Sequence, residues 1–289
     1  SMSNQMSMNN SSGTPNGTQT EAILTRREFV MLMVGAGASV ALATMLAEPL
    51  NPLFQRVLGG DIEHEKYTAA ASDNPRWGMV INLSTCIGCE YCVYACQATN
   101  DVTDAMRWNV HIVDETPTGN IFHMTRPCLH CNNAPCVSVC PVSATYSRSD
   151  GLVVMDYDKC IGCRYCEVAC PYGARSFNWE ERGDEPNPRA PEWGTPEVPR
   201  RPRGVVEKCT FCIHRIDAGL AAGLTPGIDP EATPACVNIC PVRARVFGDL
   251  NNPESEVSQI IASTATFRLR EDLGTEPNVY YIPPEGLAI

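Results

Sequence analysis

Short apolar runs bounded by turn-forming residues dominate the chain from residue 76 onward, and they predict strands rather than long helices. The predicted strands are residues 79–83, 108–113, 121–125 and 152–156. Residues 117–120, Pro-Thr-Gly-Asn, favour a tight turn that joins the second and third strands into a hairpin. Residues 256–262 predict a short helix, and the proline-rich, charged residues 180–204 predict a surface loop. Because these elements are short, the pattern predicts a loop-rich α+β fold.

The N-terminal region has a different pattern. Residues 1–20 are mostly Ser, Asn, Thr, Gln and Gly, which predicts disorder. Residues 25–29, Thr-Arg-Arg-Glu-Phe, lead into an apolar stretch that resembles a twin-arginine export signal. The alternative is an uncleaved membrane anchor, because the stretch approaches the roughly 20 residues that span a bilayer. The predicted organisation is a signal or anchor within residues 1–47, a proline-containing linker at 48–75 and one main domain at 76–289.

Composition narrows the class of protein. The chain has 289 residues, enough for one or two domains with their own cores. Aromatic residues make up only 7% of it, whereas it has 23 prolines and 21 glycines, which agrees with a loop-rich fold. Its formal net charge of -11 argues against nucleic acid as a partner, because a phosphate-binding surface is basic.

The cysteines carry the strongest signal in the sequence. All 16 fall into four groups, and each group ends in two cysteines separated by three residues. The groups are Cys86, Cys89, Cys92 and Cys96; Cys128, Cys131, Cys136 and Cys140; Cys160, Cys163, Cys166 and Cys170; and Cys209, Cys212, Cys236 and Cys240. The run Cys-x2-Cys-x2-Cys-x3-Cys-Pro is the ligand pattern of bacterial [4Fe–4S] ferredoxins. The sequence therefore predicts four cubane iron–sulfur clusters.

Two other cysteine chemistries compete with this prediction. Zinc sites also use Cys-x2-Cys pairs, but a tetrahedral zinc site does not explain the repeated x3-Cys-Pro endings. A disulfide scaffold suits an exported chain with an even cysteine count, but disulfides need no repeated spacing. Some of the clusters could have a purely structural role, although four at once indicate electron transfer.

The cysteine groups also repeat in sequence. Residues 86–92 and 160–166 share Cys-Ile-Gly-Cys-x-Tyr-Cys, and residues 136–141 and 236–241 share Cys-Val-x-x-Cys-Pro. In a two-cluster ferredoxin the last cysteine of each run ligates the other cluster of the pair. The repeat therefore predicts two bacterial-ferredoxin-like halves, each of which holds two clusters. Proline follows the last cysteine of every group except the first, where Gln97 follows Cys96.

The chain resembles the four-cluster iron–sulfur subunits of the DMSO reductase superfamily, which is also called the complex iron–sulfur molybdoenzyme superfamily. The resemblance rests on these motifs, on Lys-Cys-Thr-Phe-Cys at 208–212 and on the tail at 273–281. The resemblance covers about residues 76–283. It implies that the first cysteine group pairs with the fourth and the second with the third. The implied ligand sets are Cys86, Cys89, Cys92 and Cys240; Cys96, Cys209, Cys212 and Cys236; Cys128, Cys131, Cys136 and Cys170; and Cys140, Cys160, Cys163 and Cys166. No ligand is replaced, so the resemblance implies four [4Fe–4S] clusters.

The resemblance also implies a function. The chain would pass electrons between a polytopic quinone-reactive membrane subunit and a molybdopterin catalytic subunit, and would catalyse no reaction by itself. The alternative is a conduit in a quinol-linked respiratory complex without active molybdenum, which passes electrons between quinol and either cytochromes or a cytoplasmic partner. A standalone ferredoxin is a weaker option, because two clusters would suffice. The export signal predicts a periplasmic or outer-face location, associated with the membrane through partners or through an uncleaved helix.

Several cations lie near the cysteines in sequence. Lys159, Arg164, Arg175 and Lys208 are candidates for raising cluster potentials, although each is more commonly solvated or paired with an acidic residue. His130, between Cys128 and Cys131, is a candidate for contact with a cluster. Arg200, Arg201 and Arg203 are candidates for docking an acidic partner, although exposed arginines of a proline-rich surface loop need no such role.

Overall fold

The computed structural model describes residues 72–106 and 108–287. These residues all belong to one compact unit, His64–Ile289. The predicted signal or anchor and nearly all of the predicted linker lie outside the described residues, so the expectations for residues 1–71 stay predictions. In the part of the chain that the structure describes, no helix is long and apolar enough to cross a membrane.

The regular elements are short, as the sequence predicts. The α-helices of the described residues are α1 (Tyr91–Thr99), α2 (Pro135–Ser138), α3 (Tyr165–Val168), α4 (Ile213–Ala221), α5 (Ala235–Asn238) and α6 (Glu256–Ser263). The strands are β1 (Trp77–Asn82), β2 (Val110–Glu115), β3 (Ile121–Arg126), β4 (Thr145–Ser147), β5 (Val153–Met155), β6 (Ser176–Phe177), β7 (Val206–Glu207), β8 (Arg245–Asp249) and β9 (Val279–Ile282). Two single 3-10 turns lie at Asp104–Met106 and Glu271–Leu273.

The strands form one three-stranded sheet and three two-stranded sheets. In the largest, β1 lies between β8, to which it is antiparallel, and β9, to which it is parallel. Met79 is paired with Phe247 on one side and with Val279 on the other, and all three side chains are buried. The two-stranded sheets pair β2 with β3, β4 with β5, and β6 with β7, all antiparallel.

The predicted elements are confirmed with small shifts at their ends. The predicted strands at 79–83 and 152–156 are β1 and β5, and the predicted helix at 256–262 is α6. The predicted hairpin is β2–β3 with its turn before Ile121. Its first strand begins two residues later than predicted, because Trp108 is buried beneath the Arg201 guanidinium instead of continuing the strand.

Proline ends three of the cysteine-bearing helices. The helices α2, α3 and α5 each stop two residues before the last cysteine of a group, and Cys-Pro follows. A proline ring cannot continue an α-helix. In the first group Gln97 replaces this proline, and α1 runs through Cys96 to Thr99.

Residues 180–204 form the predicted irregular segment between β6 and β7, but it is anchored at buried points. Asn187 donates from Nδ2 to the Gln97 carbonyl at 3.0 Å and is itself buried. Arg201 is also buried, and its Nε donates to Glu207 Oε2 at 2.9 Å. The interpretation of Arg201 as an exposed loop arginine is therefore wrong, because the Glu207 carboxylate and the carbonyls that follow α1 satisfy its guanidinium.

Candidate functional site

Two cavities are each lined by four cysteines. The first is lined by Cys128, Cys131, Cys136 and Cys170, which we call set III. The second is lined by Cys140, Cys160, Cys163 and Cys166, which we call set IV. Each set takes three cysteines from one group and the last cysteine of the other. The structure thus interleaves the second and third groups.

The first and fourth groups are interleaved in the same way. Cys86 has Cys92 and Cys240 among its electrostatic neighbours, and Cys89 belongs to the same loop. We call these four residues set I. Cys96 has Cys209, Cys212 and Cys236 as neighbours, and these four form set II. The neighbours match the sets that the resemblance implies, and the iron-ligand assignment itself stays a prediction.

The four sets lie in a row. Cys236 of set II neighbours Cys92 of set I. Cys209 of set II neighbours Cys128 of set III, and Cys166 of set IV neighbours Cys136 of set III. These electrostatic neighbours connect the sets in the order I, II, III, IV, so the two halves of the domain meet between sets II and III.

Burial sets the protonation chemistry of the inner sulfurs. Desolvation raises the pKa of the Cys131 and Cys236 thiols to about 12, and neighbouring thiolates add to this effect. Four thiolates held together away from water repel one another, so they need bound positive charge to stay ionised. All sixteen cysteines are free, with no disulfide between them. This donor set fits iron, which binds thiolate sulfur, and four sulfurs per set fit a cubane cluster.

Main-chain and side-chain donors point at the sulfurs. The backbone N–H groups of Ala144 and Ala244 each donate to the cysteine four residues earlier, at 3.2 Å from Cys140 Sγ and Cys240 Sγ. For Cys140 these donors outweigh burial, and its pKa lies below the usual thiol range. At set II a side chain also donates, since Asn100 Nδ2 lies 3.6 Å from Cys212 Sγ and 3.8 Å from Cys96 Sγ.

Two equivalent glycines shape the cysteine loops of the outer sets. Gly88 and Gly162 have φ values of +69° and +68°, in the left-handed region that favours glycine. A Cβ at Gly162 would lie 2.1 Å from the Gly204 carbonyl oxygen, and one at Gly88 would lie 2.5 Å from the His123 ring. The residues 180–204 and the β2–β3 hairpin therefore approach these loops closely.

The contact between sets II and III is built around His130 and Lys208. Both side chains are fully buried. His130 Nε2 donates to the Cys209 carbonyl at 3.1 Å, its Nδ1 accepts from the Val153 N–H at 3.1 Å, and its ring stacks on Phe211. Lys208 Nζ donates to the Cys209 carbonyl at 2.8 Å and to the Val153 carbonyl. Both side chains thus bond to backbone groups of Cys209 and Val153 rather than to solvent.

Family models match this part of the chain. Residues 120–184 and residues 159–244 each match a model described as a 4Fe-4S dicluster domain. A selenate reductase subunit from Mesobacillus selenatarsenatis is 36% identical over 304 residues, which cover 92% of this chain and 99% of the relative. The chain belongs to the iron–sulfur subunits of the DMSO reductase superfamily.

Two further relatives show the breadth of this family. A menaquinone reductase iron-sulfur cluster-binding subunit from Nitratidesulfovibrio vulgaris is 43% identical over 72% of this chain and 88% of the relative. An Hdr-like menaquinol oxidoreductase iron-sulfur subunit 1 from Archaeoglobus fulgidus is 34% identical over 90% of this chain and 98% of the relative. Like its relatives, this iron–sulfur subunit transfers electrons and is not the catalytic chain of its complex. Its two dicluster domains and 16 cysteines fit four [4Fe–4S] clusters.

The cations of this iron–sulfur subunit divide into two classes. Lys159 and Arg164, which neighbour set IV cysteines in sequence, have exposed side chains paired with Asp156 and Glu167. Arg175 is buried and contacts a cysteine sulfur. Arg245 is also buried and contacts a cysteine sulfur, although the sequence did not single it out. The missed signal is positional, because both arginines stand five residues after the cysteine of a Cys-Pro pair.

Proposed function

We propose that the chain carries electrons along four [4Fe–4S] clusters held by sets I, II, III and IV, between a quinone-reactive membrane subunit and a molybdopterin catalytic subunit. The observation that supports this proposal best is the linear order of the four cysteine sets. A standalone carrier needs no row of four, whereas a row connects two partners that do not touch each other. The chain's own residues supply the thiolates, position them and keep water from the inner sets.

The two ends of the row have the surfaces that electron-transfer partners need. At the set IV end Val168 is 84% exposed and Ile161 is 63% exposed. At the set I end Ile87, the repeat equivalent of Ile161, is 58% exposed, and Tyr91 beside it is also exposed. Large apolar side chains grouped on a surface mark protein–protein contacts. Each end therefore offers a docking surface next to a terminal cysteine set.

A second function has specific support. The relatives named for menaquinone and menaquinol complexes favour a quinol-linked conduit, which does not require a molybdenum partner. The two functions differ in the identity of one partner and share the row of clusters.

Purification through this chain distinguishes the two functions. Native membranes would be solubilised gently without oxygen, and the complex analysed by mass spectrometry and metal analysis. We expect about sixteen iron atoms per copy of this chain, since each cubane cluster holds four. We also expect a molybdopterin subunit with molybdenum or tungsten. Cytochromes and a polytopic subunit without either metal would favour the quinol-linked conduit, and far less iron would contradict the four-cluster assignment.

Matched substitutions test the two ends separately. Ile161→Glu and Ile87→Glu place a charge in the two equivalent loops, and we expect each to release a different subunit while the iron content is retained. Leu220→Glu on α4 is the control, because Leu220 is exposed and lies outside the cysteine loops. Loss of the same subunit from both variants would contradict a row that joins two partners.

We also propose that the protein is exported by the twin-arginine route, with its clusters already inserted, and works at the outer face of the membrane. The paired arginines at 26–27 before an apolar stretch support this location. Buried thiolates also need protection by metal in an oxidising compartment. Changing both Arg26 and Arg27 to lysine should trap the protein in the cytoplasm with its iron in place. Unchanged export of that variant would contradict the proposal.

A further inference from the structure

Two buried arginines occupy equivalent places in the two halves of the domain. Arg175 follows Cys170-Pro171 and Arg245 follows Cys240-Pro241, each at the fifth position after the cysteine. Their side chains are 4% and 3% exposed. At the same position of the other two groups stand Thr145 and Asp101, so each half has one such arginine.

The contacts of the two guanidinium groups are also equivalent. Arg175 donates to Cys136 Sγ at 3.1 Å, to Thr145 Oγ1 at 2.7 Å and to Met155 Sδ at 3.1 Å. Arg245 donates to Cys236 Sγ at 3.3 Å, to Thr125 Oγ1 and to Met79 Sδ at 3.6 Å. Each group is thus fixed by a threonine, beside a methionine sulfur, with one N–H directed at a cysteine.

Each arginine also lies between the two cysteine sets of its half. Arg175 has Cys136 and Cys128 of set III and Cys166 of set IV as its charged neighbours. Arg245 has Cys236 of set II together with Cys92 and Cys240 of set I. No carboxylate within the described residues forms an ion pair with either guanidinium. The compensating negative charge therefore belongs to the cysteine sulfurs.

We propose that Arg175 and Arg245 are equivalent tuning residues, each raising the reduction potentials of both clusters in its half. This inference rests on the ligand sets of the proposed function. When one electron moves from a cluster to its neighbour, the receiving cluster gains one negative charge and no proton is required. A guanidinium stays protonated at any physiological pH, so its charge favours the more negative state at both clusters beside it. In a site removed from water this attraction is weakly screened.

Lys208 occupies the remaining contact, between sets II and III. Burial lowers the pKa of its ammonium group. The ammonium group therefore loses its positive charge more readily than a guanidinium does, and the proposal includes only the two arginines.

The test is an anaerobic potentiometric titration of the holoprotein, with the clusters followed by electron paramagnetic resonance. Arg175→Met and Arg175→Gln remove the charge with side chains of similar length. For sets III and IV we expect the ratio of reduced to oxidised cluster at a fixed ambient potential to fall at least tenfold. For a one-electron couple this corresponds to a reduction potential that is lower by about 59 mV. The potentials of sets I and II should stay unchanged, and Arg245→Met or Arg245→Gln should give the reverse pattern.

Three control variants separate charge from structure. Lys159→Gln removes an exposed charge next to Cys160 and should leave all four potentials unchanged, because water screens its 64% exposed side chain. Thr145→Val removes an acceptor of Arg175 but keeps the charge, so it should affect stability more than potential. Arg175→Lys should keep the potentials of sets III and IV closer to wild type than the neutral variants do.

The outcomes also separate this inference from the proposed function. Unchanged potentials in a neutral variant that retains about sixteen irons would overturn the tuning role and leave the four-cluster assignment intact. If none of the four neutral variants retained its iron, the arginines would be structural and the tuning role would also be overturned. A shift at the other pair of clusters would overturn both the tuning role as stated for each half and the ligand sets on which it rests.

Discussion

The inner and outer cysteine sets have the same chemistry but very different surroundings. In set II all four cysteines are buried, and in set III only Cys170 is partly accessible. In set I only Cys92 is buried, and in set IV Cys166 is buried while Cys163 is exposed. The same local motif therefore gives a shielded or an accessible site, depending on what packs against it.

The difference shows how one repeated motif serves two purposes. The inner sets lie where the two halves meet, with the buried His130 and Lys208 bonded to the Cys209 carbonyl. Asn187 also donates to the Gln97 carbonyl, next to Cys96 of set II. The outer sets lie at the ends, where exposed apolar side chains surround them. Water raises the local dielectric and stabilises charge, so burial alone gives the inner and outer clusters different electrostatic environments.

Removing one ligand from each class should have the largest effect. Cys209 is buried in set II and neighbours Cys128 of set III, whereas Cys163 is the exposed member of set IV. We expect Cys163→Ala to lower the iron content from about sixteen to about twelve atoms and to leave a folded protein. Cys209→Ala should lose more than one cluster and most of the soluble protein, because the two halves meet at set II.

Iron analysis and soluble yield, measured on anaerobic preparations, check this prediction. Cys140→Ala is a second outer variant, since Cys140 is partly accessible and belongs to set IV. It should behave like Cys163→Ala. Equal losses from Cys209→Ala and Cys163→Ala would show that burial does not distinguish the inner sets from the outer ones.

Breaking an ion pair near an inner set should destabilise the protein more than breaking one near an outer set. Glu207 and Arg201 form an ion pair near Cys209 of the inner set II, and their side chains are 3% and 5% exposed. Glu207→Ala leaves a buried guanidinium without its partner, at a cost of about 3 kcal/mol. That cost corresponds to a fall in Tm of roughly 6–12 °C for a domain of this size. At the outer set IV, Glu167→Gln breaks the more exposed pair with Arg164, at a cost below about 0.5 kcal/mol.

Anaerobic thermal unfolding of both variants measures this difference. Replacing Arg201 and Glu207 together by methionine should recover most of the loss, because two apolar side chains leave no buried charge. A double variant as unstable as Glu207→Ala would place the cost in packing rather than in the unpaired arginine.

Sequence alone was sufficient for the local form of the cysteine loops but not for the residues that pack around them. The Cys-x2-Cys spacing, the glycine at 88 and 162, and the proline that ends α2, α3 and α5 all act within a few residues, so they can be read directly. The roles of Arg201 and Arg245 depend on partners that are distant in sequence, such as Asn100 for Arg201 and Thr125 for Arg245. Local composition therefore suggested an exposed Arg201 and gave no reason to single out Arg245. The hairpin was predicted correctly because its turn residues and its strand pattern lie within a few residues of each other.

The smallest effect concerns the order in which the clusters of the unaltered protein are lost. Because thiolate oxidation and iron loss follow access to solvent, limited treatment with ferricyanide and a chelator should remove about four irons first, from set IV. Set IV contains the one exposed cysteine among the described residues. Cys163→Ala should lack this first phase, since its set IV cluster is already missing. In the purified complex the phase should be slowed, because the apolar side chains around set IV are proposed to lie against a partner. Simultaneous loss of all four clusters would indicate that the domain opens as a whole before any cluster is reached, and would remove the distinction between inner and outer sets.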